Sequence, residues 1–280
     1  MCKVYVTISM YRYILCRELL LSIFQYSASK WGPVPIICRA CQVCRLWRDV
    51  AHDPSLWRQL DLSSGWIRKN VLGLMSLRMS GRFQVVRSLN LTAWWGLLDH
   101  HLEVVLAACP NLTHLNVSHC QALTDSGISA LASSASTLTH LDMTHMAPLA
   151  TSIPSMRQLI VKKGPHLQRL NISSNVFTHK FSNILLLITV HCSGLKALLM
   201  NDIHVAGSVK VPLDILSMQS SICGLEELNI EGTPFIALSA QFEEGPGFPA
   251  LRSYSAHAHN SNQDQEDQLF IERYSSHVSS

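Results

Sequence analysis

The chain has 280 residues, 48% of them hydrophobic and only 15% charged, and its formal net charge is +3. This weak charge excludes the strong electrostatic attraction on which nucleic-acid binding and attachment to acidic membranes depend. No apolar run reaches the roughly 18 residues of a membrane-spanning helix. We therefore expect neither a nucleic acid nor a membrane as a partner. Nine cysteines without a secretory signal predict reduced thiols in a cytoplasmic or nuclear protein.

Two amphipathic helices are predicted before residue 62. An atypical segment, residues 1–14, comes first, and LCRELLLSIFQY then places apolar side chains at helical spacing. A loop with glycine and prolines follows, and IICRACQVCRLWRDVAHD predicts a second helix that ends at Asp53, because the residue before a proline disfavours the helical conformation. We interpret residues 15–62 as a small helical domain that continues through SLWRQLDLS into the next region without a linker.

Three cysteines in the second predicted helix, Cys38, Cys41 and Cys44, have a spacing that can bind zinc or an iron–sulfur cluster. A fourth ligand at a suitable spacing is missing from the sequence. Within one helix the three thiols would share a flank, which favours a role as small buried hydrophobic side chains. We therefore expect no metal site and no cofactor.

Residues 63–256 carry a motif with apolar residues at positions i, i+3 and i+5. Successive copies start 26, 26, 29, 28, 30 and 26 residues apart, at or just above the period of leucine-rich repeats. Because no repeat can bury its apolar face alone, we predict an α/β leucine-rich-repeat solenoid with short parallel strands and with helices on the convex side. The copies are Val86-Leu89-Leu91, Leu112-Leu115-Val117, Leu138-Leu141-Met143, Leu167-Leu170-Ile172, Leu195-Leu198-Met200, Leu225-Leu228-Ile230 and a weak Leu251-Tyr254-Ala256.

The second copy, residues 109–132, is the most complete and predicts the rest of the repeat. Cys120, at position i+8, stands where a buried side chain closes the turn after the strand, and Asn175 takes this place in the fourth copy. Asp125 is the expected N-cap of the helix that follows. The ladder of turn-closing side chains is expected to be imperfect, because the third, fifth and sixth copies carry Met146, Ile203 and Thr233.

Side chains at positions i+2, i+4 and i+6 are predicted to point away from the core and to line up across the concave strand face. Such a face is the usual binding surface of a solenoid, although a merely solvated sheet would show the same polarity. Its mixture of amides, imidazoles and both charges favours a protein partner over nucleic acid, which would need a basic stripe. The candidate substrate-binding residues are His114, Asn116, His140, Asp142, Arg169, Asn171, Glu227 and Asn229.

The repeat pattern fades toward the C-terminus. After Glu231 the sequence GTPFIALSAQFEEGPGFPA replaces the expected helix, and residues 257–280 are polar. The polar composition predicts a disordered or poorly packed tail. Because a solenoid needs polar-faced caps, we also predict a truncated array whose last repeat is frayed.

Two segments of the helical domain resemble an F-box. LCRELLLSIFQY and VCRLWRDVAHDPSLWRQLDLS are similar to its common form, LPxELLLxIF followed by VCxxWxxLAxDxxLWxxLDL. An F-box that runs directly into leucine-rich repeats resembles the F-box/LRR family, whose members are substrate receptors of SCF-type ubiquitin ligases. The resemblance implies that the domain docks on the Skp adaptor and, through it, on the cullin scaffold. The matching adaptor-binding positions are Leu15, Leu19, Leu20, Ile23, Phe24, Val43, Cys44 and Trp47.

The function that this resemblance implies is recognition of an unidentified protein substrate, without catalysis by the chain itself. The sequence has no GxSxG, P-loop or HExxH motif, in agreement with a protein that is not an enzyme. Two alternatives stay open. Some of the eight matching residues can instead form the domain's own core, because a short bundle must bury something. Cys16 replaces the family's proline, so the domain can also be a degenerate F-box that only caps a ligase-independent binding scaffold.

Overall fold

A computed structural model describes residues 16–34, 36–63, 71, 73–75, 81–134, 137–146, 153–177, 181–205, 211–212, 222, 224–233, 235–236 and 250–255. The atypical segment 1–14, Leu15 and the polar tail 257–280 lie outside the described residues. So does Ala256, and with it the end of the weak seventh copy.

The helical domain contains three α-helices, and the second of the predicted helices is in fact two. They are α1 (Arg17–Trp31), α2 (Ile36–Ala40) and α3 (Arg45–Ala51), followed by a 3-10 turn at Pro54–Leu56. The prediction of one continuous helix was wrong because Cys44 is extended, at φ −158° and ψ 175°, and acts as the N-cap of α3. The Arg48 side chain donates to the carbonyl of Cys41 at 3.1 Å and so satisfies a carbonyl that the break exposes.

The predicted solenoid is confirmed as one sheet of eight parallel strands, joined in the order in which the repeats occur. Each strand contains three residues centred on position i+3. The strands of this sheet and of two small two-stranded pairs are β1 (Gln59–Asp61), β2 (Ser88–Asn90), β3 (His114–Asn116), β4 (His140–Asp142), β5 (Arg169–Asn171), β6 (Val176–Phe177), β7 (Ala197–Leu199), β8 (His204–Val205), β9 (Val211–Pro212), β10 (Glu227–Asn229), β11 (Phe235–Ile236) and β12 (Ser253–Ser255). The small pairs are β6 with β8 and β9 with β11.

Helices follow the strands of the middle repeats and pack against one another in sequence order. None of the described helices is long and apolar enough to span a membrane. The helices are α4 (Asp99–Ala108), α5 (Asp125–Ser133), α6 (Ile153–Lys163) and α7 (Phe181–His191), with 3-10 turns at Arg82–Val85 and Gly164–His166. Strand, turn and helix therefore repeat as the α/β solenoid requires.

The core is formed by the repeated apolar positions. In the first six copies all eighteen side chains at i, i+3 and i+5 are at most 4% exposed. Because full burial of an aliphatic side chain contributes about 1.5–3 kcal/mol, these rows are the main source of the solenoid's stability. The open face of the sheet, opposite this core, carries positions i+2 and i+4.

Every described repeat makes the same left-handed turn after its strand. The residue at position i+7 has a positive φ in all six. It is Gly232 in the sixth copy, and in the other five, where φ lies between 47° and 58°, it is Ala93, His119, His145, Ser174 and Asp202. In the first five copies the backbone N–H of this residue donates to the i+6 carbonyl of the next repeat at 2.7–3.0 Å. These hydrogen bonds between neighbouring turns offset the roughly 1–2 kcal/mol that a left-handed conformation costs a residue with a side chain.

Position i+8 builds a more complete ladder than we predicted. Cys120 donates from Sγ to the Leu91 carbonyl at 3.1 Å, and Asn175 donates from Nδ2 to the Met143 carbonyl at 2.8 Å. The Thr233 hydroxyl likewise donates to the Met200 carbonyl. In each case the acceptor is position i+5 of the preceding repeat. The expectation that Thr233 interrupts the ladder was therefore wrong.

The two apolar members of the i+8 row are supported by the next repeat. Met146 and Ile203 have no side-chain donor, as expected. The backbone N–H of Met146 donates instead to Asn175 Oδ1 at 3.0 Å, and that of Ile203 donates to Thr233 Oγ1 at 3.1 Å. Asn175 and Thr233 therefore each serve two neighbouring turns.

The N-cap of α5 is Thr124 and not Asp125, which corrects our prediction. Thr124 Oγ1 accepts from the Ser126 N–H at 3.3 Å, whereas Asp125 is already the first helical residue. Asp99 reinforces the cap by accepting from the backbone N–H and the hydroxyl of Thr124 at 2.8 and 2.6 Å. A Cβ on Gly127 would lie 2.6 Å from Asp99 Oδ1, so only glycine leaves room for this carboxylate.

Trp57 joins the helical domain to the solenoid. Its indole is 1% exposed and donates from Nε1 to the Ala51 carbonyl, at the end of α3, at 2.8 Å. The guanidinium of Arg82, which precedes β2, lies 4.5 Å above the ring centroid. The same guanidinium lies 3.6 Å from the Cys41 thiol of the helical domain. The two regions therefore share one packed junction.

Candidate functional site

The eight predicted adaptor-binding residues do not share one environment. Leu15 lies outside the described residues. Leu20 and Phe24 are 1% and 3% exposed and belong to the core of the helical domain, so their assignment to a contact surface is corrected. Trp47 is half-buried, and its ring packs edge-on against Phe24 at 5.4 Å. These three side chains hold α1 against α3.

The remaining side chains of the set are exposed on the helical domain. Leu19, Ile23 and Val43 are 51%, 44% and 61% exposed, and Cys44 is exposed beside Val43. We call Leu19, Ile23 and Val43 the apolar surface. Val43 lies in the turn between α2 and α3, and both of these helices contact α1. Side chains of this kind are stabilised when a partner removes them from water.

Tyr26 extends the exposed stripe of α1, and the sequence analysis missed it. Its side chain is 63% exposed, three residues after Ile23 on the same helix. Leu19, Ile23 and Tyr26 have the spacing i, i+4 and i+7, which places them on one face. This spacing was present in the sequence and could have identified the residue.

Cys38 and Cys41 pack against the core as small hydrophobic side chains, as predicted, but Cys44 does not share their flank because the helix is broken. Cys38 and Cys41 are half-buried and Cys44 is exposed. Burial raises the pKa of the Cys38 thiol, while the nearby Arg82 guanidinium opposes the shift. Within the described part of the chain, no group of three or more histidine, cysteine or acidic residues is arranged to hold a metal ion.

The predicted rows on the open face are aligned by the pairing of the strands. From β2 to β10 the i+2 residues are direct partners, and so are the i+4 residues. The i+2 row is Ser88, His114, His140, Arg169, Ala197 and Glu227, and the i+4 row is Asn90, Asn116, Asp142, Asn171, Leu199 and Asn229. Whether either row binds a substrate remains a prediction.

The i+4 row has a structural task in addition to any binding role. The Oδ1 atoms of its amides and carboxylate accept from the backbone N–H two residues later. These bonds are 2.8 Å for Asn116, 2.9 Å for Asp142, 3.1 Å for Asn171 and 3.2 Å for Asn229. Such side-chain turns fix the bend that follows each strand. In three of these four turns Asn or Asp stands two residues before Ser or Thr, and this recurrence was the sequence signal for them.

Arg169 and Glu227, two candidates in the i+2 row, are paired with each other. Arg169 Nη1 lies 2.5 Å from Glu227 Oε2, above Ala197 on the strand between them. The alanine is small enough for the two long side chains to meet across it. Their side chains are 41% and 36% exposed, so solvent screens the pair. A partner therefore meets a nearly neutral ion pair here.

His114 and His140 form a stacked pair at the centre of the open face. Their ring centroids are 4.0 Å apart and their planes differ by 18°. Burial lowers the pKa of both imidazoles, and His114 and Arg169 lower that of His140 further. Both shifts favour the neutral form of the two rings. They line a depression of about 240 Å³ that also contains Asn116, Asp142, Arg169 and Asn171.

A second histidine pair lies on the turns of the same two repeats, and the sequence analysis did not identify it. His119 and His145 are exposed at position i+7, with ring centroids 4.8 Å apart. Both copies contain a histidine, four residues and a second histidine, HLNVSH and HLDMTH. Two neighbouring histidine pairs, one stacked and one tilted, therefore follow from one repeated spacing.

Comparison with known families identifies two segments of the chain. Residues 17–63 match the family model described as F-box-like, and residues 108–132 match the model of a leucine rich repeat. The first match covers α1 to β1. The second covers β3, its turn and α5.

The chain is also similar to a curated plant protein and to solved structures. It is 39% identical over 83 residues to the F-box protein At3g27290 of Arabidopsis thaliana, a match that covers 29% of this chain but only 22% of that protein. Internalin C2 of Listeria monocytogenes is 17% identical, with a TM-score of 0.42, over 63% of this chain and 65% of its own. The Rad7 and Elc1 complex of yeast gives 14% identity and a TM-score of 0.41 over 78% of this chain and 59% of that chain. The two family matches and the F-box relative show that residues 17–63 are similar to F-box proteins and residues 108–132 to leucine-rich repeats, and the chain covers about a fifth of the length of that relative.

Proposed function

We propose that the chain is the substrate-recognition subunit of an SCF-type ubiquitin-protein ligase. The helical domain docks the Skp adaptor and, through it, the cullin scaffold, and the open face of the solenoid binds a protein substrate. The loop containing Gly32 and Pro33 and the sequence GPGFPAL favour, within the family, a similarity to F-box/LRR-repeat protein 6.

The apolar surface is the observation that carries this proposal. A domain this small has few apolar side chains to bury, yet Leu19, Ile23 and Val43 are each between 44% and 61% exposed. Complete burial of one such half-exposed side chain contributes roughly 1 kcal/mol to association. Several together on neighbouring elements can anchor a stable protein interface.

The proposed mechanism is proximity, and it assigns no bond-making step to this chain. The receptor holds a substrate on the open face while the adaptor fixes the receptor to the ligase scaffold. This arrangement raises the local concentration of substrate lysines near the ubiquitin donor. The neutral Arg169–Glu227 pair and the stacked histidines give the open face a recognition chemistry that differs from the apolar surface.

The experiment is capture of the purified chain by immobilised Skp adaptor. The triple variant Leu19→Ser, Ile23→Ser, Val43→Ser should lose capture while its far-ultraviolet circular dichroism stays unchanged. A matched control is Val161→Ser with Leu186→Ser, which changes apolar side chains of α6 and α7 that are 41% and 46% exposed. Trp47→Ala is unsuitable because Trp47 packs on Phe24 and its loss would disturb the core.

Equal loss of capture in the control variant, or retention of capture in the triple variant, would refute the apolar surface as the adaptor site. A chain that is not captured at all would favour the second function, a ligase-independent binding scaffold. One observation supports this alternative directly. A Cβ on Gly32, in the loop after α1, would lie 3.4 Å from the Asp61 carbonyl, so this loop covers β1, the first strand of the sheet.

A further inference from the structure

Each of the stacked histidines contacts the hydroxyl of the threonine that precedes it. Thr113 Oγ1 donates its one proton to the Arg87 carbonyl at 3.0 Å, and the same oxygen lies 2.8 Å from His114 Nδ1. The Arg87 carbonyl also accepts from the backbone N–H groups of Thr113 and His114 at 2.8 and 2.9 Å. While the hydroxyl proton points at this carbonyl, Nδ1 is the donor in the shorter contact, and in this arrangement His114 carries its proton on Nδ1.

His140 has the same arrangement one repeat later. Thr139 Oγ1 donates to the Thr113 carbonyl at 3.0 Å and lies 2.9 Å from His140 Nδ1. Both neutral imidazoles therefore present Nε2 as a hydrogen-bond acceptor. Neither Nε2 has a hydrogen-bond partner among the described residues.

Two nearly parallel acceptors suit a hydrogen-bond donor better than a metal ion. A metal needs ligand lone pairs that converge on one point at about 2 Å. The lone pairs of rings stacked at 4.0 Å, with only 18° between their planes, run side by side. An ammonium or guanidinium group has several N–H bonds that can reach neighbouring acceptors separately.

The charges around the pair also favour a cation. β4 contributes the Asp142 carboxylate, whose Oδ2 accepts from Asn171 Nδ2 at 3.2 Å. β5 contributes Arg169, which is paired with Glu227 at 2.5 Å. β2 and β3 contribute only uncharged side chains to this depression. With both imidazoles neutral, Asp142 is therefore the unneutralised charge of the site.

We propose that this depression binds the lysine or arginine side chain of a protein segment, through Nε2 of His114, Nε2 of His140 and the carboxylate of Asp142. The inference rests on the proposed role of the open face in substrate binding and names the side chain that this face selects. Protonation of the imidazoles would turn both acceptors into donors and repel the bound cation. Binding is therefore lost as the pH falls through the pKa values of the pair.

The test uses nuclear magnetic resonance of the full chain with small probes. Long-range proton–nitrogen spectra should first show the Nδ1–H tautomer for His114 and His140. N-acetyl-arginine amide and N-acetyl-lysine amide should then shift the backbone amide signals of Asn116 and Asp142 in a saturable manner at pH 7.5. N-acetyl-glutamate amide should leave them unchanged, and acidification to pH 5.5 should weaken the effect of the basic probes.

A double variant supplies the control for packing. His114→Phe with His140→Phe keeps two stackable rings but removes both acceptors, so its affinity for the basic probes should fall by about tenfold or more. His119→Phe with His145→Phe changes the tilted histidine pair of the same repeats and should bind as the unmodified chain does. The Nε2–H tautomer, preferential binding of the glutamate probe, or an equal loss in both variants would overturn the proposal. Capture by the Skp adaptor is measured separately and should be the same in both variants, so failure of this inference is distinguishable from failure of the ligase function.

Discussion

The apolar surface of the helical domain and the open face of the solenoid are both exposed, but their side chains are engaged very differently. Leu19, Ile23 and Val43 have no polar group to satisfy and gain only by leaving water. On the open face most amide and carboxylate side chains already close turns, and Arg169 already binds Glu227. Exposure alone therefore does not identify a binding residue, because many exposed polar groups are occupied within the protein.

The same contrast applies to the way the two regions are held together. The solenoid distributes its stability over a row of equivalent leucines and over hydrogen bonds that recur in each turn. The helical domain has a small core and meets the solenoid at Trp57, whose indole touches both regions. We therefore expect single substitutions to have their largest effect at this junction.

Trp57→Ala should cause the largest loss, about 3–5 kcal/mol of unfolding free energy, because it leaves a cavity and an unpartnered Ala51 carbonyl. Urea unfolding followed by circular dichroism measures the effect. Trp95→Ala is the matched control, since Trp95 is 69% exposed and should change stability by less than about 0.5 kcal/mol. Similar losses of unfolding free energy in the two variants would show that Trp57 contributes no more to stability than an exposed tryptophan.

Asn175→Leu should cost about 2–3 kcal/mol, within the solenoid itself. The change leaves the Met143 carbonyl without its donor and the Met146 N–H without its acceptor. Met143 and Met146 are both buried, so water cannot replace the lost hydrogen bonds. Met146→Leu, at the same position of the preceding repeat, changes packing without removing a side-chain hydrogen bond and should cost less than about 1.5 kcal/mol. Equal losses of unfolding free energy in urea would mean that packing, and not the hydrogen bonds of the i+8 ladder, determines the stability of the turn.

Gly232→Ala should cost about 1–2 kcal/mol, because φ at this residue is 69° and a Cβ would meet the Asp202 carboxylate. Gly224→Ala is the control, since a Cβ there meets no atom within 4 Å. Thermal unfolding of both variants gives the comparison. Unchanged stability in Gly232→Ala would indicate that this turn adapts as readily as the five that carry side chains.

Acidification should produce the smallest effect, a gradual fall in stability below about pH 6.5. The pKa values of His114 and His140 are lowered in the folded protein, so the unfolded chain binds protons first and the folded state loses stability as the pH falls. The melting temperature between pH 7.5 and 5.5 should therefore depend less on pH in His114→Phe with His140→Phe. His101, whose pKa burial also lowers, leaves part of the dependence in place. An unchanged slope would exclude the stacked pair as its source.

Much of the solenoid could be predicted because its signal is local and repeated. Position i+3 is the central residue of each three-residue strand, and its side chain must face the core. Leu89, Leu115 and Leu141 therefore determined the register in which their strands pair. The same periodicity placed His114 and Asn116 on the open face. These inferences needed only the alternation of side chains along a strand.

The partners of individual side chains depended on contacts that the spacing does not contain. Leu19 and Leu20 are adjacent and equally apolar, yet one is 51% exposed and the other 1%, because α3 packs on only one side of α1. Arg169 meets Glu227 58 residues away, across an alanine that had no role in the sequence pattern. The threonine hydroxyls beside the stacked imidazoles likewise contact carbonyls contributed by the preceding repeats. The sequence by itself therefore determined which residues face the core of the repeats, because that choice follows from chain geometry. Only the tertiary structure decided the long-range partners, such as Glu227 for Arg169, because these partners come from other repeats.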